Sequence, residues 1–364
     1  MRIAEFRVDM DEQSEIPARP DERGAGGRSP QSDMSVHQPV MTKELIELLA
    51  PRPGQVVVDC TAGAGGHSLA ILPYLMPACL SADTPPPASE HSGWGGVVGQ
   101  AGVAPSHHAG EDAAGRLIAI DCDDQALQRT QQRLVEFRPH VRLIHENFRH
   151  LPEILASVGL TKVHGLIADL GFSSLQVDQA ERGFSFMKEG PLDMRLDQRT
   201  VTTAATLIQR LSERELAELL QRYGEERWAR RVANRIVSGR RAQPIRTTTQ
   251  LARLVADAIP RRGSSWRFHP ATRTFQALRI AVNEELACLG TLLDALPEVL
   301  LPGGRAVIIT FHSLEDRLVK HAFQRGARAG CFRLLTKKPL RPSEEEIDRN
   351  PRSRSAKLRA VERL

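Results

Sequence analysis

Five short runs of β-branched and aliphatic residues constrain this chain more than anything else in it. They are Gln55–Cys60 (QVVVDC), Arg116–Asp121 (RLIAID), Val141–His145 (VRLIH), Gly165–Asp169 (GLIAD) and Arg305–Phe311 (RAVIITF). Each is the length of a strand, is apolar almost throughout, and is followed by a stretch with helical spacing. That alternation predicts an α/β fold with a parallel sheet buried on both faces by crossover helices. Between the fourth and fifth runs the pattern changes to helix after helix. Ser212 and Glu215 form a capping box ahead of Leu216, Leu219, Leu220 and Tyr223 on one face, and Leu251, Leu254, Val255 and Ala258 repeat the spacing. A helical subdomain is therefore expected as an insertion over residues 178–269, dividing the α/β domain into 35–177 and 270–364. With 364 residues, 41% apolar but only 4% aromatic, the chain is long enough for a large core, and that core must be aliphatic.

Two tracts stand outside this pattern. Residues 1–34 are polar and acidic, and are expected to be a disordered leader; residues 77–114, rich in Pro, Gly and Ser, are expected to be a disordered surface insertion. No apolar stretch approaches the roughly 20 residues of a spanning helix, and the start of the chain lacks a signal-peptide core, so a cytoplasmic location without membrane contact is expected. Five scattered cysteines without a C-x-x-C argue against disulfides and zinc. His91, His107 and His108 read as solvated loop residues, so no metal is expected.

Charge is segregated. Residues 225–285 hold thirteen arginines against five acids, and residues 325–364 hold twelve Lys/Arg against five acids, whereas the rest of the chain is acidic. Two such segments are an electrostatic footprint for a polyanion, and arginine suits phosphate because its planar fork binds bidentately.

The strand ends carry the chemistry. After the first strand comes Asp59-Cys-Thr-Ala-Gly63-Ala-Gly65-Gly66-His67-Ser, whose glycines admit a ligand close to the backbone; it is neither G-x-G-x-x-G nor a P-loop. The second strand ends at Asp121, where a carboxylate accepts both hydroxyls of a ribose. Glu146-Asn147-Phe148 follows the third and offers a ring beside an adenine; Asp169 tips the fourth. A nicotinamide-dependent oxidoreductase shares the ribose carboxylate, but its third fingerprint glycine and a Tyr-x-x-x-Lys pair are missing. A non-catalytic RNA-binding protein has no need of Asp59, Gly65, Gly66, Asp121 and Asp169 together.

A glycine loop, an acid, an Asn-Phe and an acid on four successive strand ends resemble a class I S-adenosylmethionine-dependent methyltransferase with a Rossmann-like parallel sheet. Longer strings sharpen the likeness. His37-Gln-Pro-Val40, Gly65-Gly-His-Ser68, Asp169-Leu-Gly-Phe-Ser-Ser-Leu-Gln176, Arg182-Gly-Phe-Ser-Phe186, Gly190-Pro-Leu-Asp-Met-Arg195, Tyr223-Gly-Glu-Glu226, the segment His269–Arg279, Phe311-His-Ser-Leu-Glu-Asp-Arg317 and the segment Asn350–Arg359 are similar to the MraW family, the small-subunit ribosomal RNA methyltransferases H. The resemblance implies methylation of the exocyclic N4 of a cytidine in the decoding region of 16S rRNA, with S-adenosyl-L-methionine as donor and the small ribosomal subunit as partner. Carried over by motif, it places the cofactor against Gly65, Gly66, His67, Asp121, Phe148, Asp169 and Gln176.

The chain has no Asp/Asn-Pro-Pro-aromatic tetrad after its fourth strand, so Asp169 is the expected catalytic group, orienting N4. Phe172, Phe184 and Phe186 either stack on the base or pack in the core. Arg182, Arg195, Arg273, Arg279, His269 and His312 either contact RNA or form internal ion pairs. The basic tail from Asn350 either lies along RNA or folds over the site. Phe172 and Thr310 stand where Val and Ser are common in the family, and the 77–114 insertion stretches Asp59 to Asp121 to 62 residues, against a usual spacing of about 20.

Overall fold

The structure is a computed structural model that describes residues 39–77, 115–260 and 269–364. The expected leader, His37, and the insertion from residue 78 onward with its three histidines lie outside these residues. Seven strands form one sheet: β1 (Val56–Asp59), β2 (Arg116–Asp121), β3 (Val141–His145), β4 (Val163–Asp169), β5 (Leu300–Thr310), β6 (Phe332–Leu334) and β7 (Lys357–Arg363). Their order is β3-β2-β1-β4-β5-β7-β6. The first five are parallel, and β7 runs antiparallel to both β5 and β6.

Strict two-residue alternation explains why the apolar runs had to be strands between two layers. Val56, Val58, Ile118, Ile120, Leu166, Ala168, Ala306 and Ile308 face the helices Leu151–Ser157, Glu285–Val299 and Ser313–Arg328. Val57, Leu117, Ile167, Val307 and Ile309 face the helices Thr42–Leu49 and Gly66–Leu75 on the other side. Because β1 pairs with β2 on one flank and β4 on the other, the chain reverses its direction of winding there. Such a switch point opens a crevice at the carboxyl ends of the strands.

The basic tail is in part a strand. Leu358 and Ala360 alternate inward from β7, fully buried, and Arg359 between them is tied to Asp316 at 2.7 Å. Residues 357–363 are therefore not a free tail but an inner strand between β5 and β6.

Residues from Phe184 to Val282 share a second, aliphatic core. It is built by the helices Ala204–Arg210, Glu213–Gly224, Ala229–Ala242, Thr248–Ala258 and Thr272–Asn283. Capping boxes start three of them: Thr203 with Thr206, Ser212 with Glu215, and Thr247 with Gln250. The helices Glu213–Gly224 and Thr272–Asn283 meet at Gly224, where a Cβ would stand 2.5 Å from the Arg273 carbonyl oxygen. Gly224→Ala is therefore expected to lower unfolding stability by about 1–3 kcal/mol, since backbone cannot move aside cheaply. Gly290→Ala, with nothing within 4 Å of the added carbon in mid-helix, is expected to raise it by up to about 1 kcal/mol. Urea unfolding of both variants checks this, and equal shifts would contradict it.

Candidate active site

A cavity of about 860 Å³ lies at the carboxyl ends of β1 to β4. Such a volume suits a nucleoside-sized ligand with room for a second group. Its walls include Gly66, His67, Asp121, Phe148, Asp169 and Gln176, so six of the seven expected cofactor positions converge on one space. Gly65 does not line it. Its part is the turn: it precedes the helix Gly66–Leu75 with φ +75°, and a Cβ there would press on Thr130 at 3.3 Å. At Gly66 a Cβ would come within 3.1 Å of Pro39, so the loop is closed from behind as well.

Asp121 ends β2 with both carboxylate oxygens turned to backbone. Oδ2 accepts from the Gly63 amide at 2.8 Å and Oδ1 from the Asp123 amide at 2.9 Å, which fixes the loop to the strand tip and leaves a lone pair on each oxygen. Burial pushes its pKa up from 3.8 to about 6, against the pull of those two amides. Phe148 is the first residue of a short 3₁₀ turn that Asn147 caps, its side chain accepting from the Arg149 amide at 3.0 Å.

Gln176 is buried and engaged at both ends. Its Oε1 accepts from the Ser173 amide at 2.8 Å and its Nε2 donates to Asp123 Oδ2 at 2.7 Å. Asp123, which sequence reading passed over, is the hub of this wall. It is 3% exposed, caps the helix Asp124–Arg133, and takes Arg182 Nη1 at 2.8 Å besides Gln176. The signal was present as an acidic cap directly ahead of a helical pattern.

Asp59, His67 and Asp169 form a buried acidic group around one imidazole. Asp59 accepts from Ser68 Oγ at 2.7 Å and the Thr61 amide at 3.1 Å, and burial raises its pKa. His67 is 5% exposed with Nε2 3.4 Å from Asp169 Oδ2, an ion-pair distance, and neither ring nitrogen has an aligned hydrogen bond. Burial opposes charge on this ring, yet Asp169, Asp59 and Glu346 together hold its pKa above the ordinary value. The Asp169 amide donates to Thr61 Oγ1 at 2.7 Å, which fixes the strand tip, while Asp169 Oδ1 has no partner.

Most of the polar residues left open by sequence are internal ties. Arg182 is 4% exposed and also donates to the Arg195 and Leu196 carbonyls. Arg195 pairs with Asp193, Arg279 forks onto Glu285 at 2.7 and 2.8 Å, and Arg273 donates to the Glu225 carbonyl. His312 caps the helix Ser313–Arg328 and stands 3.1 Å from Glu315. Glu285, His312 and Glu315 lie close enough together to share a cation, but Arg279 already holds Glu285 and the Phe311 and His312 amides hold Glu315. Phe184 is buried, and Phe186 stacks on His269 with centroids 4.6 Å apart in the helical core. Phe172 is different: it is 41% exposed at the cavity, with Arg279 Cζ 4.5 Å from its centroid. Asn350 and Arg352 of the tail also line the cavity, so this part of the tail folds over the site.

The residues present fit the cofactor the sequence implied. A carboxylate with free lone pairs, a ring, a glycine loop and an unsatisfied His–Asp pair surround one volume of the right size. A sheet of order 3-2-1-4-5-7-6 with this site at its switch point defines a class I S-adenosylmethionine-dependent methyltransferase. The chain belongs to the MraW methylase family, whose sequence model matches residues 34–84 and 95–364. It is 43% identical over 344 residues to the ribosomal RNA small subunit methyltransferase H of Anaeromyxobacter sp. (strain K), covering 90% of this chain and 98% of that one. The proteins of the same name from Pelobacter propionicus and Geobacter sulfurreducens are 44% and 42% identical, with 98% and 99% of their lengths covered.

Ribose hydroxyls donate to a carboxylate but not to both oxygens of a carboxylic acid. With Asp121 titrating near 6, cofactor affinity should rise about tenfold from pH 5 to pH 7 and level off above. Asp121→Asn should bind weakly and lose this dependence. Calorimetric titration of S-adenosylhomocysteine across that range checks both, and a flat profile in the unaltered protein contradicts the assignment.

Proposed function

We propose that this protein methylates the exocyclic N4 of a cytidine in the decoding region of 16S rRNA, presented by the small ribosomal subunit in the cytoplasm. The relatives' name supports the RNA, and no helix among the described residues is long and apolar enough to cross a membrane. The observation that carries the reading is Asp169 at the tip of β4, which lines the cavity with one carboxylate oxygen lacking a hydrogen-bond partner and the other 3.4 Å from His67.

The chemistry explains why such a group is needed. Cytosine N4 shares its lone pair with the ring and is a poor nucleophile. S-adenosylmethionine supplies a methyl already activated by its sulfonium. What remains for the protein is to orient N4 and to accept the proton that leaves it. The Asp169 carboxylate, accepting an N4 hydrogen, localises the lone pair on nitrogen and withdraws charge as the bond forms. His67, held beside Oδ2, fixes the carboxylate and keeps the released proton within the pair. Positioning of this kind contributes up to roughly 7–11 kcal/mol in favourable cases. Asp121 holds the ribose, Phe148 lies against the adenine, and Gly66, His67, Asp169 and Gln176 complete the cofactor wall, with Gly65 shaping the loop.

A covalent route through cysteine has no support. Cys60 is buried beside Asp59 and Cys122 beside Asp121, and burial first, then the neighbouring carboxylate, pushes both thiols well above the usual range. The target base must be extruded, since a stacked cytosine hides N4. Phe172, exposed at the cavity and braced by Arg279 and Phe184, offers the wall for it.

Mass spectrometry of rRNA nucleosides from cells with and without the protein tests the reading. An N4-methylated cytidine should vanish on deletion and return with the intact gene. Asp169→Ala should lower kcat by about 10²–10⁴-fold, the span of a lost acid–base group, with a smaller effect on cofactor affinity. Undiminished turnover would remove Asp169 from the chemistry.

A further inference from the structure

Most of the arginines around the cavity are tied down inside the protein; on one outer helix Arg240 is tied to the Ile208 carbonyl, but others are not. The helix Ala229–Ala242 contains no acid. It buries Ala229, Val232, Ala233, Ile236 and Val237 against the helical core. At 3.6 residues per turn, Arg230, Arg231, Asn234, Arg235, Ser238 and Arg241 fall within an arc of about 140° on the opposite side. All six are exposed. Arg235 meets Asp257 at 3.4 Å and Asn234 meets Glu213 at 3.0 Å. Arg230, Arg231 and Arg241 have no ion pair among the described residues. Arg253, one turn before Asp257 on the neighbouring helix, is likewise exposed and unpaired. Trp228, 37% exposed, stands at the head of the face.

This face is remote from the reaction. The helix packs on Glu213–Gly224, which packs on Thr272–Asn283, and only the far end of that last helix reaches the cavity; on its other flank it packs on Ala204–Arg210, which reaches the cavity through Leu207. At least one whole helix therefore separates it from the site, at an interaxial spacing of about 8–10 Å. A nucleoside in the cavity cannot touch these arginines, so what does touch them must be large and anionic.

We infer that the outer face of Ala229–Ala242 is a docking site for RNA, gripping phosphates of the substrate at a distance from the methylated base. The inference rests on the proposed RNA substrate. Unpaired guanidinium forks without interleaved rings contact backbone rather than bases, so the contribution is independent of sequence and strongly salt-dependent. The helical layer then both frames the acceptor side of the cavity and holds the RNA that delivers its nucleotide.

The test measures binding, not turnover. Affinity for a decoding-region rRNA fragment is followed by fluorescence anisotropy against salt, for the full chain and for a variant combining Arg230→Gln, Arg231→Gln and Arg241→Gln. Affinity should fall roughly tenfold or more at about 0.1 M salt, and the slope of log K against log salt should become shallower by about 2–3, near 0.7–0.9 per lost phosphate contact. A variant with lysine at the three positions should keep the slope, and S-adenosylhomocysteine affinity should not change in either. Unchanged affinity and slope in the glutamine variant overturn the inference and leave the face to an acidic protein. A fall in affinity without a change in slope overturns it too, since phosphate contacts would not be the cause. Loss of N4 methylation in the unaltered protein with the slope change intact would instead refute the proposed reaction while leaving the RNA face standing.

Discussion

Everything in this molecule depends on burying carboxylates at the ends of parallel strands and compensating each one. Asp59, Asp121, Asp123 and Asp169 all lie at or just beyond the tips of β1, β2 and β4. Unpaired, they would repel one another in a medium that solvates none of them well. The chain answers with donors both near and far in sequence: the Gly63 and Asp123 amides for Asp121, Ser68 and Thr61 for Asp59, Gln176 and Arg182 for Asp123. Asp169 alone keeps an oxygen without a partner. The strand order makes this compensation possible, because only at a switch point do a glycine loop and a helix start converge on neighbouring strand ends.

The same hydrogen bonds join the two halves of the site. Arg182 reaches from Asp123 on the cofactor side to the Leu196 carbonyl, and the Leu196 amide donates to Asn283 at the end of the last helix of the helical core. Asp197, Arg199 and Thr200, which follow Leu196, also line the cavity, with Arg199 reaching Glu146 beyond the tip of β3. Gln176 and Arg182 serve chiefly as this frame, which is why polar residues with family-like spacing turned out to be buried.

The parallel strands were legible because period-two apolar runs buried on both faces leave little choice of structure. The strand-tip groups were legible because ligand chemistry prescribes a carboxylate, a ring and a close backbone there. Long-range partners were not. Asp123 acquires its meaning from Arg182 and Gln176, more than fifty residues away, and the Met41 amide is held by Glu346 from across the chain. Lys357–Arg363 reads as part of a basic tail lying along RNA or over the site when its charges are counted without its alternation; Leu358 and Ala360 inward, with Arg359 neutralised by Asp316, make it an inner strand. Net charge also left open which arginines around the site form internal ties, since a local surplus does not reveal which guanidinium finds a carboxylate after folding.

A crystal structure of the protein with S-adenosylhomocysteine and cytidine is the most direct measurement of how the site works. The ribose diol is expected on Asp121 and cytosine N4 within about 2.6–3.2 Å of an Asp169 carboxylate oxygen. A ligand bound elsewhere, or a base in the cavity whose N4 turns away from Asp169, would contradict the central claim.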